Sequence, residues 1–205
     1  MIESFDNALQ IVVLLICIGI TMYRATVYRS RTWTLTLLFY GSWVLGDIYW
    51  LVCLIFYGNT PQISIVSDLS WHAAYIFLYL MLIKTADPDP NSRKYFLPWL
   101  GPIFAVGMAV FFMFRGEILS NLIYAGLMGL LLFSAIYRLM KKEMYRKQQY
   151  LAILILIFCL LEYALWTASC FWKSDTLANP YYWIDVLLTI SFLFFLPATR
   201  KAVIS

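Results

Sequence analysis

Five ionisable side chains lie within otherwise apolar stretches of the sequence, where they could bind an ion, a metal or a small ligand. They are Asp47, Asp68, His72, Glu162 and Asp185. A carboxyl group at the centre of a membrane helix costs about 2.5–3.5 kcal/mol on insertion scales, so such groups usually face a protein interior, a cavity or a partner. We therefore expect these side chains to converge on an acidic pocket inside the protein.

Aromatic residues recur at helical spacing beside these groups. Asp68 and His72 are four residues apart, which places them on one face of a helix, and Tyr75 continues that face. Trp residues follow Asp47 and Glu162 at similar spacing. The predicted ligand or ion pocket, acidic and aromatic, consists of Asp47, Trp50, Asp68, His72, Tyr75, Glu162, Trp166 and Asp185.

Each of these residues also has a purely structural interpretation. Asp47 and Glu162 could tie helices together through hydrogen bonds. Asp68 and Asp185 lie near predicted helix N-termini, where the helix dipole favours a carboxylate. A histidine beside an aspartate is more often a packing pair than a metal ligand. Four carboxyls and a histidine nevertheless exceed what helix adhesion requires, which favours a ligand, ion or metal site.

Membrane helices must position these residues. The chain has 205 residues, of which 63% are hydrophobic and 13% charged, and its mean hydropathy of +0.78 exceeds what a soluble domain of this size can bury. A bilayer core of about 30 Å requires about 20 apolar residues per helix. Seven stretches meet this requirement: 8–23, 33–57, 63–84, 96–114, 118–138, 150–172 and 181–199. The sequence predicts an all-α, polytopic membrane protein with seven transmembrane helices in a single domain, residues 1–205.

Basic residues are concentrated on one side of these predicted helices. All but two of the fifteen Lys and Arg residues follow the first, third, fifth or seventh stretch, and the exceptions are Arg115 and Lys173. Because basic residues near helix ends are retained in the cytoplasm, we predict an N-terminus outside and a C-terminus in the cytoplasm. The first residues lack the basic region of a cleavable signal peptide. A multi-pass protein of the cell membrane is expected, with a bacterial inner membrane as the working hypothesis.

The basic stretch Arg138–Lys147 is typical of a topology signal beside anionic lipid, and it could also dock a cytoplasmic signalling partner. The net charge of +4 therefore indicates no nucleic acid. The four cysteines lie in apolar stretches without C-x-x-C spacing, so no metal-thiolate or redox motif is indicated. Pairing of Cys53 with Cys170, both near the outer ends of their predicted helices, stays open.

The helices on either side of the fourth stretch resemble each other. Asp47 and Glu162 lie at about the same distance from the predicted cytoplasmic ends of their helices. After each of these helices the chain turns past a proline and enters the next helix, which contains Asp68 or Asp185. This pattern favours a 3+1+3 pseudo-repeat in which the fourth helix reverses direction. The SWEET sugar transporters and KDEL receptors are similar in outline. Chance similarity of two hairpins is the alternative.

The fourth stretch differs from the others in its helix-breaking residues. Pro98 and Pro102 stand near its beginning, and Gly107 stands midway. Proline removes a helical hydrogen bond and clashes with the preceding turn. We therefore predict a short or kinked helix here.

The hairpin of the second and third helices resembles a known membrane module. Gly46-Asp47 is followed at the appropriate distance by Asp68, with Trp71 and Tyr75 at aromatic positions. This pattern is similar to the seven-helix sensor region that precedes GGDEF or EAL domains in bacterial signalling proteins. The sequence departs from the usual pattern at Ser64-Ile65, Ser67 and His72. The resemblance implies a membrane sensor, and because the sequence ends at Ser205 without such an output domain, we expect it to signal through a separate cytoplasmic partner.

Three classes of function remain. The first is a membrane sensor or ligand-binding protein with an outward-facing pocket, and the second is a small-solute or ion-coupled transporter, which the pseudo-repeat favours. The third is a membrane metallohydrolase, for which the single His72 would be an atypical ligand set. Retinal is disfavoured because the stretch 181–199 has no lysine for a Schiff base, and one histidine excludes a bis-histidine haem. The sequence leaves the ligand, cofactor and metal open.

Overall fold

Apolar side chains dominate the seven helices of the structure, a computed structural model that describes residues 2–61, 64–85, 95–115, 117–141 and 146–203. The helices are α1 (Ile2–Tyr28), α2 (Arg31–Tyr57), α3 (Ile65–Lys84), α4 (Leu100–Phe112), α5 (Ile118–Met140), α6 (Arg146–Phe171) and α7 (Pro180–Val203). A 3-10 turn, Leu97–Trp99, precedes α4. The described ranges contain no strand, and the prediction of an all-α fold is confirmed.

Six of these helices, all except α4, are long and apolar enough to cross a membrane. Their outward surfaces are apolar as well, since Phe56, Leu69 and Phe194 are 77%, 62% and 55% exposed. Large apolar surfaces of this kind are solvated by lipid and not by water. The chain is therefore a multi-pass helical membrane protein.

The helices form a closed ring with one helix outside it. α1 packs against α2 and α7, α2 against α3, α3 against α5, α5 against α6, and α6 against α7. α4 packs against α5. The ring therefore closes at two junctions, α1 with α7 and α3 with α5, that join the first three helices to the last three.

Aromatic rings fill the centre of this ring of helices. The ring centroids of Trp43 lie 5.1 Å from Phe192 and 5.3 Å from Phe158, and Tyr75 lies 5.7 Å from Trp43. The fully buried Phe39 packs on the same cluster. Most of these pairs meet edge to face, which is favourable for aromatic quadrupoles. The bundle interior is thus closed at this level.

The fourth helix is short, as predicted. The 3-10 turn contains Pro98, and α4 itself has only 13 residues. A Cβ at Gly101 would lie 2.7 Å from the Cβ of Leu132 on α5, so glycine permits this close approach.

The segment that contains α4 nevertheless runs along most of α5. At one end the rings of Tyr95 and Tyr137 lie 5.7 Å apart. At the other end the Asn121 side-chain amide donates a hydrogen bond of 2.9 Å to the Phe112 carbonyl. The two segments are therefore antiparallel.

The first helix begins earlier than the sequence predicts. We expected residue 8, whereas α1 begins at Ile2. Glu3 in its first turn suits the positive end of the helix dipole, and the Glu3 amide is anchored by Asp175 Oδ1 at 3.1 Å. As a result, Asp6 and Gln10 lie inside a helix and are buried.

The basic stretch Arg138–Lys147 is described only in part. Arg138 is 5% exposed, and its guanidinium donates to Thr85 Oγ1 at 3.0 Å, between α5 and α3. It is thus not part of a docking surface. Lys141 Nζ lies 5.6 Å from the centre of the Tyr137 ring, and residues 142–145 lie outside the described ranges.

Candidate functional site

The Gly46-Asp47 pair of α2 fits against the indole of Trp71 on α3. A Cβ at Gly46 would lie 2.5 Å from Trp71 Nε1, so glycine leaves the space that the ring occupies. The same nitrogen donates a hydrogen bond of 3.1 Å to Asp47 Oδ1. Asp47 is 1% exposed. Its second oxygen accepts no hydrogen bond from any described residue.

Trp50, one turn beyond Asp47, points toward α1. Its indole nitrogen donates to Glu3 Oε1 at 3.2 Å, and its ring lies 5.8 Å from Trp71. Trp50 therefore holds the Trp71 ring from one side while anchoring the beginning of α1.

Asp68 links the beginning of α3 to the beginning of α5. Its Oδ2 accepts hydrogen bonds from Ser64 Oγ at 3.0 Å and from Ser120 Oγ at 2.9 Å. His72 lies one helical turn further along α3, on the same face. Both side chains are buried, at 7% and 8% exposure.

A cavity of about 20 Å³ lies between α3, α5 and α6 beside this pair. Four of the predicted site residues line it: Asp68, His72, Tyr75 and Trp166. Such a volume holds about one water molecule. The cavity also has side chains from α5 on its wall, among them Ser120 and Tyr124.

Tyr75 connects this cavity to α6. Its hydroxyl donates a short hydrogen bond of 2.7 Å to Glu162 Oε2, and both residues are 2% exposed. The second Glu162 oxygen and the Tyr124 hydroxyl are buried without a hydrogen-bond partner in the described part of the chain. Trp166 lies one turn beyond Glu162 and is 36% exposed. The site therefore offers acceptors that the surrounding protein does not satisfy.

Asp185 lies elsewhere, at the contact between α7 and α1. Its Oδ1 accepts a hydrogen bond of 3.1 Å from Gln10 Nε2, which also donates to Thr189 Oγ1 at 2.9 Å. Asp6, one turn before Gln10, lies within hydrogen-bonding reach of the Asp185 carboxyl. This group of side chains stands apart from the cavity at Asp68.

Asp47 and Glu162 lie between these two groups. Glu162 is close enough to Asp47, and Asp47 to Asp185, for their charges to interact. The structure thus brings Asp68, His72, Tyr75 and Trp166 to one cavity, while Asp47, Trp50, Glu162 and Asp185 are not part of its wall. Ligand binding by these residues stays a prediction.

The sequence-based prediction of the site did not include four polar residues of these groups. They are Asp6 and Gln10 on α1, and Ser120 and Tyr124 on α5. Each pair is four residues apart, so its members share a helix face. This spacing is the signal that could have found them, because polar pairs on one face of an apolar helix usually turn inward.

The described residues contain no group of three or more His, Cys, Asp or Glu side chains arranged to hold a metal ion. The four cysteines, including Cys53 and Cys170, are free thiols. No protein-family model, no curated protein and no solved structure matches this chain. The fold and the site therefore define a class only, a multi-pass helical membrane protein with carboxyl groups buried between its helices.

Proposed function

We propose that this protein is a membrane sensor that binds a small cation of the ammonium type in the cavity between α3, α5 and α6. The Asp68 carboxyl group on the wall of that cavity is the observation that carries the proposal. Around it the cavity is lined by aromatic residues, including Tyr75, Tyr124 and Trp166. A carboxylate and aromatic faces are together the usual surroundings of a bound ammonium group.

The size of the cavity supports a small ligand. A volume of about 20 Å³ matches one water molecule, and an ammonium ion is of similar size. The buried Tyr124 hydroxyl, which has no partner among the described side chains, adds an oxygen acceptor. A larger ligand would require the three helices to separate.

Contacts of α3 offer a route from the ligand to the rest of the bundle. Asp68, Trp71 and Tyr75 are all on this helix, and the latter two bond to Asp47 on α2 and Glu162 on α6. A ligand that shifts Asp68 would shift both contacts. The resemblance of this hairpin to bacterial membrane sensor regions favours the same role, with output through a separate cytoplasmic partner that contacts the basic residues after Arg138, from Lys141 to Lys147.

The orientation that we propose places the cavity toward the outside of the cell. Asp68 and Ser120 lie in the first turns of α3 and α5, whereas Lys84 and Arg138 lie at the opposite ends of these helices. Basic helix ends are retained in the cytoplasm. The 3-10 turn and α4 run about 25 Å, and their course along α5 supports a seventh span.

Fluorescence titration of the purified full-length protein in nanodiscs tests ligand binding, because Trp71 and Trp166 line the cavity. Ammonium chloride replaces choline chloride stepwise, so that the ionic strength stays constant. We expect a saturable change that Asp68→Asn abolishes. The control is Glu117→Gln, which alters an exposed acid without a side-chain capping bond. A titration that is flat, or equal in Asp68→Asn, contradicts the proposal.

An ion-coupled transporter is the second candidate, because the two helix triplets make corresponding contacts. The third helix of one triplet reaches α5 through Asp68, and the third helix of the other reaches α1 through Asp185. These matched junctions favour the 3+1+3 pseudo-repeat. Uptake of labelled methylammonium into proteoliposomes tests this function, and transport should be lost in Asp47→Asn and Glu162→Gln but retained in Glu117→Gln.

A further inference from the structure

A second buried polar site lies at the junction of α1 and α7. Asp6 and Asp185 are 5% and 6% exposed. Gln10, one turn after Asp6 on α1, donates to Asp185 Oδ1 at 3.1 Å, so the two carboxyl groups face the same contact, where they interact with each other. An ionised carboxylate only accepts hydrogen bonds. The two groups can therefore stand together only with a proton or another cation between them.

Two nearby hydrogen-bond donors, on Gln10 and Trp43, are already engaged. Gln10 Nε2 donates to Asp185 Oδ1 and to Thr189 Oγ1, and Trp43 Nε1 points at Gln10 Oε1 from 3.4 Å. Asp6 Oδ2 is buried and receives no hydrogen bond from any residue in the described ranges. A buried acceptor of this kind is costly unless a positive charge or a donor reaches it.

Among the described residues, the titratable groups that interact with the pair add no positive charge. They are Glu3 on α1, Asp47 on α2, and Tyr181 and Tyr182 on α7. Each of them is either neutral or negative. The pair therefore lies in surroundings that favour a cation.

We propose that Asp6 and Asp185, with Thr189, form a site for one monovalent cation, which is an alkali ion or a proton shared by the two carboxyls. Carboxylate and hydroxyl oxygens are the ligands that hard cations prefer. The site joins α1 to α7, which is one of the two junctions that close the ring. Its occupancy thus controls how firmly the first three helices hold the last three.

Thermal unfolding of the full-length protein in nanodiscs tests whether the bound cation is an alkali ion. At pH 7 we expect the melting temperature to be about 5 °C higher in saturating sodium chloride than in choline chloride of equal ionic strength. Asp6→Asn and Asp185→Asn should abolish the difference. Glu117→Gln and Asp68→Asn should retain the difference. A negative result for this site can therefore be distinguished from a negative result for the proposed ligand cavity.

Melting temperatures in choline chloride between pH 5 and pH 8 test whether the bound cation is a proton. A proton held by the folded pair stabilises the protein as the pH falls. If sodium has no effect, this increase in melting temperature should be present in the wild type and reduced in Asp6→Asn and Asp185→Asn. The proposal is overturned if neither sodium nor pH distinguishes the wild type from these variants.

Carbodiimide labelling tests the site in the wild-type protein, so the result does not depend on whether the variants fold. The reagent attacks protonated carboxyl groups, and mass spectrometry locates the adduct. We expect labelling at Asp6 or Asp185 that sodium chloride or a higher pH suppresses several-fold. Labelling absent from both residues, or insensitive to sodium and pH, overturns the proposal.

Discussion

The indole nitrogen of Trp71 lies 3.1 Å from Asp47 Oδ1 and occupies the space that a side chain at Gly46 would fill. One ring thereby explains why a glycine and an aspartate stand next to each other on α2. It also fixes the distance between α2 and α3, since both contacts require the same ring position.

Replacement of Gly46 should separate these helices. In Gly46→Ala, the new methyl group displaces the Trp71 ring and weakens its bond to Asp47, so we expect a loss of about 1–3 kcal/mol in stability. Urea or thermal unfolding in nanodiscs measures it. Gly41→Ala on the same helix is the control, because a Cβ there meets no atom within 4 Å. Equal stability of the two variants would contradict the packing described here.

The Asp47 contact should depend on an acceptor and not on charge. Asp47→Asn keeps an oxygen for the Trp71 indole, and we expect stability close to that of the wild type. Asp47→Leu leaves the buried indole N–H without this acceptor, which costs about 1–3 kcal/mol. Comparing the melting temperatures of Asp47→Asn and Asp47→Leu shows whether the acceptor or the charge is required. A larger loss in Asp47→Asn than in Asp47→Leu would disprove it.

The close approach of α4 to α5 gives a similar test. Gly101→Ala places a Cβ 2.7 Å from Leu132 Cβ and 2.9 Å from the Phe133 amide nitrogen. The backbone atom cannot yield as a side chain can, so we expect α4 to detach and stability to fall by about 1–3 kcal/mol. Gly107→Ala, with open space at its Cβ, should not destabilise. Crosslinking between introduced cysteines at Tyr95 and Tyr137 reports the docking directly.

The helices and their buried acids could be predicted from the sequence because each is a local signal. Apolar length indicated the helices, and a lone Asp or Glu within such a length stood out. The beginning of α1 could not be predicted, because Glu3 and Asp6 suggest a polar tail when no partner is known. The contact with Asp185 on α7 explains why Asp6 is an interior residue.

The pairing of helices was not predictable for a physical reason. Membrane helices are apolar both toward lipid and toward the core, so hydrophobic periodicity does not mark the inward face. The partner of Asp68 is Ser120 on α5, and the partner of Tyr75 is Glu162 on α6. A single sequence does not show that Ser120 pairs with Asp68 or that Tyr75 pairs with Glu162, because these contacts depend on which helices are neighbours.

The bond between Tyr75 and Glu162 should stabilise the contact between α3 and α6. In Tyr75→Phe, the buried Glu162 carboxyl loses the hydrogen bond of 2.7 Å that Tyr75 donates, so we expect a loss of about 1–3 kcal/mol. Tyr163→Phe is the matched control. That tyrosine is 3% exposed and its hydroxyl has no partner in the described part of the chain, so its removal should leave stability unchanged or raised.

A double-mutant cycle with Glu162→Leu isolates the interaction of the pair. We expect Tyr75→Phe to be much less destabilising when Glu162 is already leucine, with a coupling energy of about 0.5–3 kcal/mol. Unfolding of the four proteins in nanodiscs supplies the measurement. Additive effects would show that the hydroxyl and the carboxyl do not stabilise each other, and the route from the cavity to α6 would then lack its connecting bond.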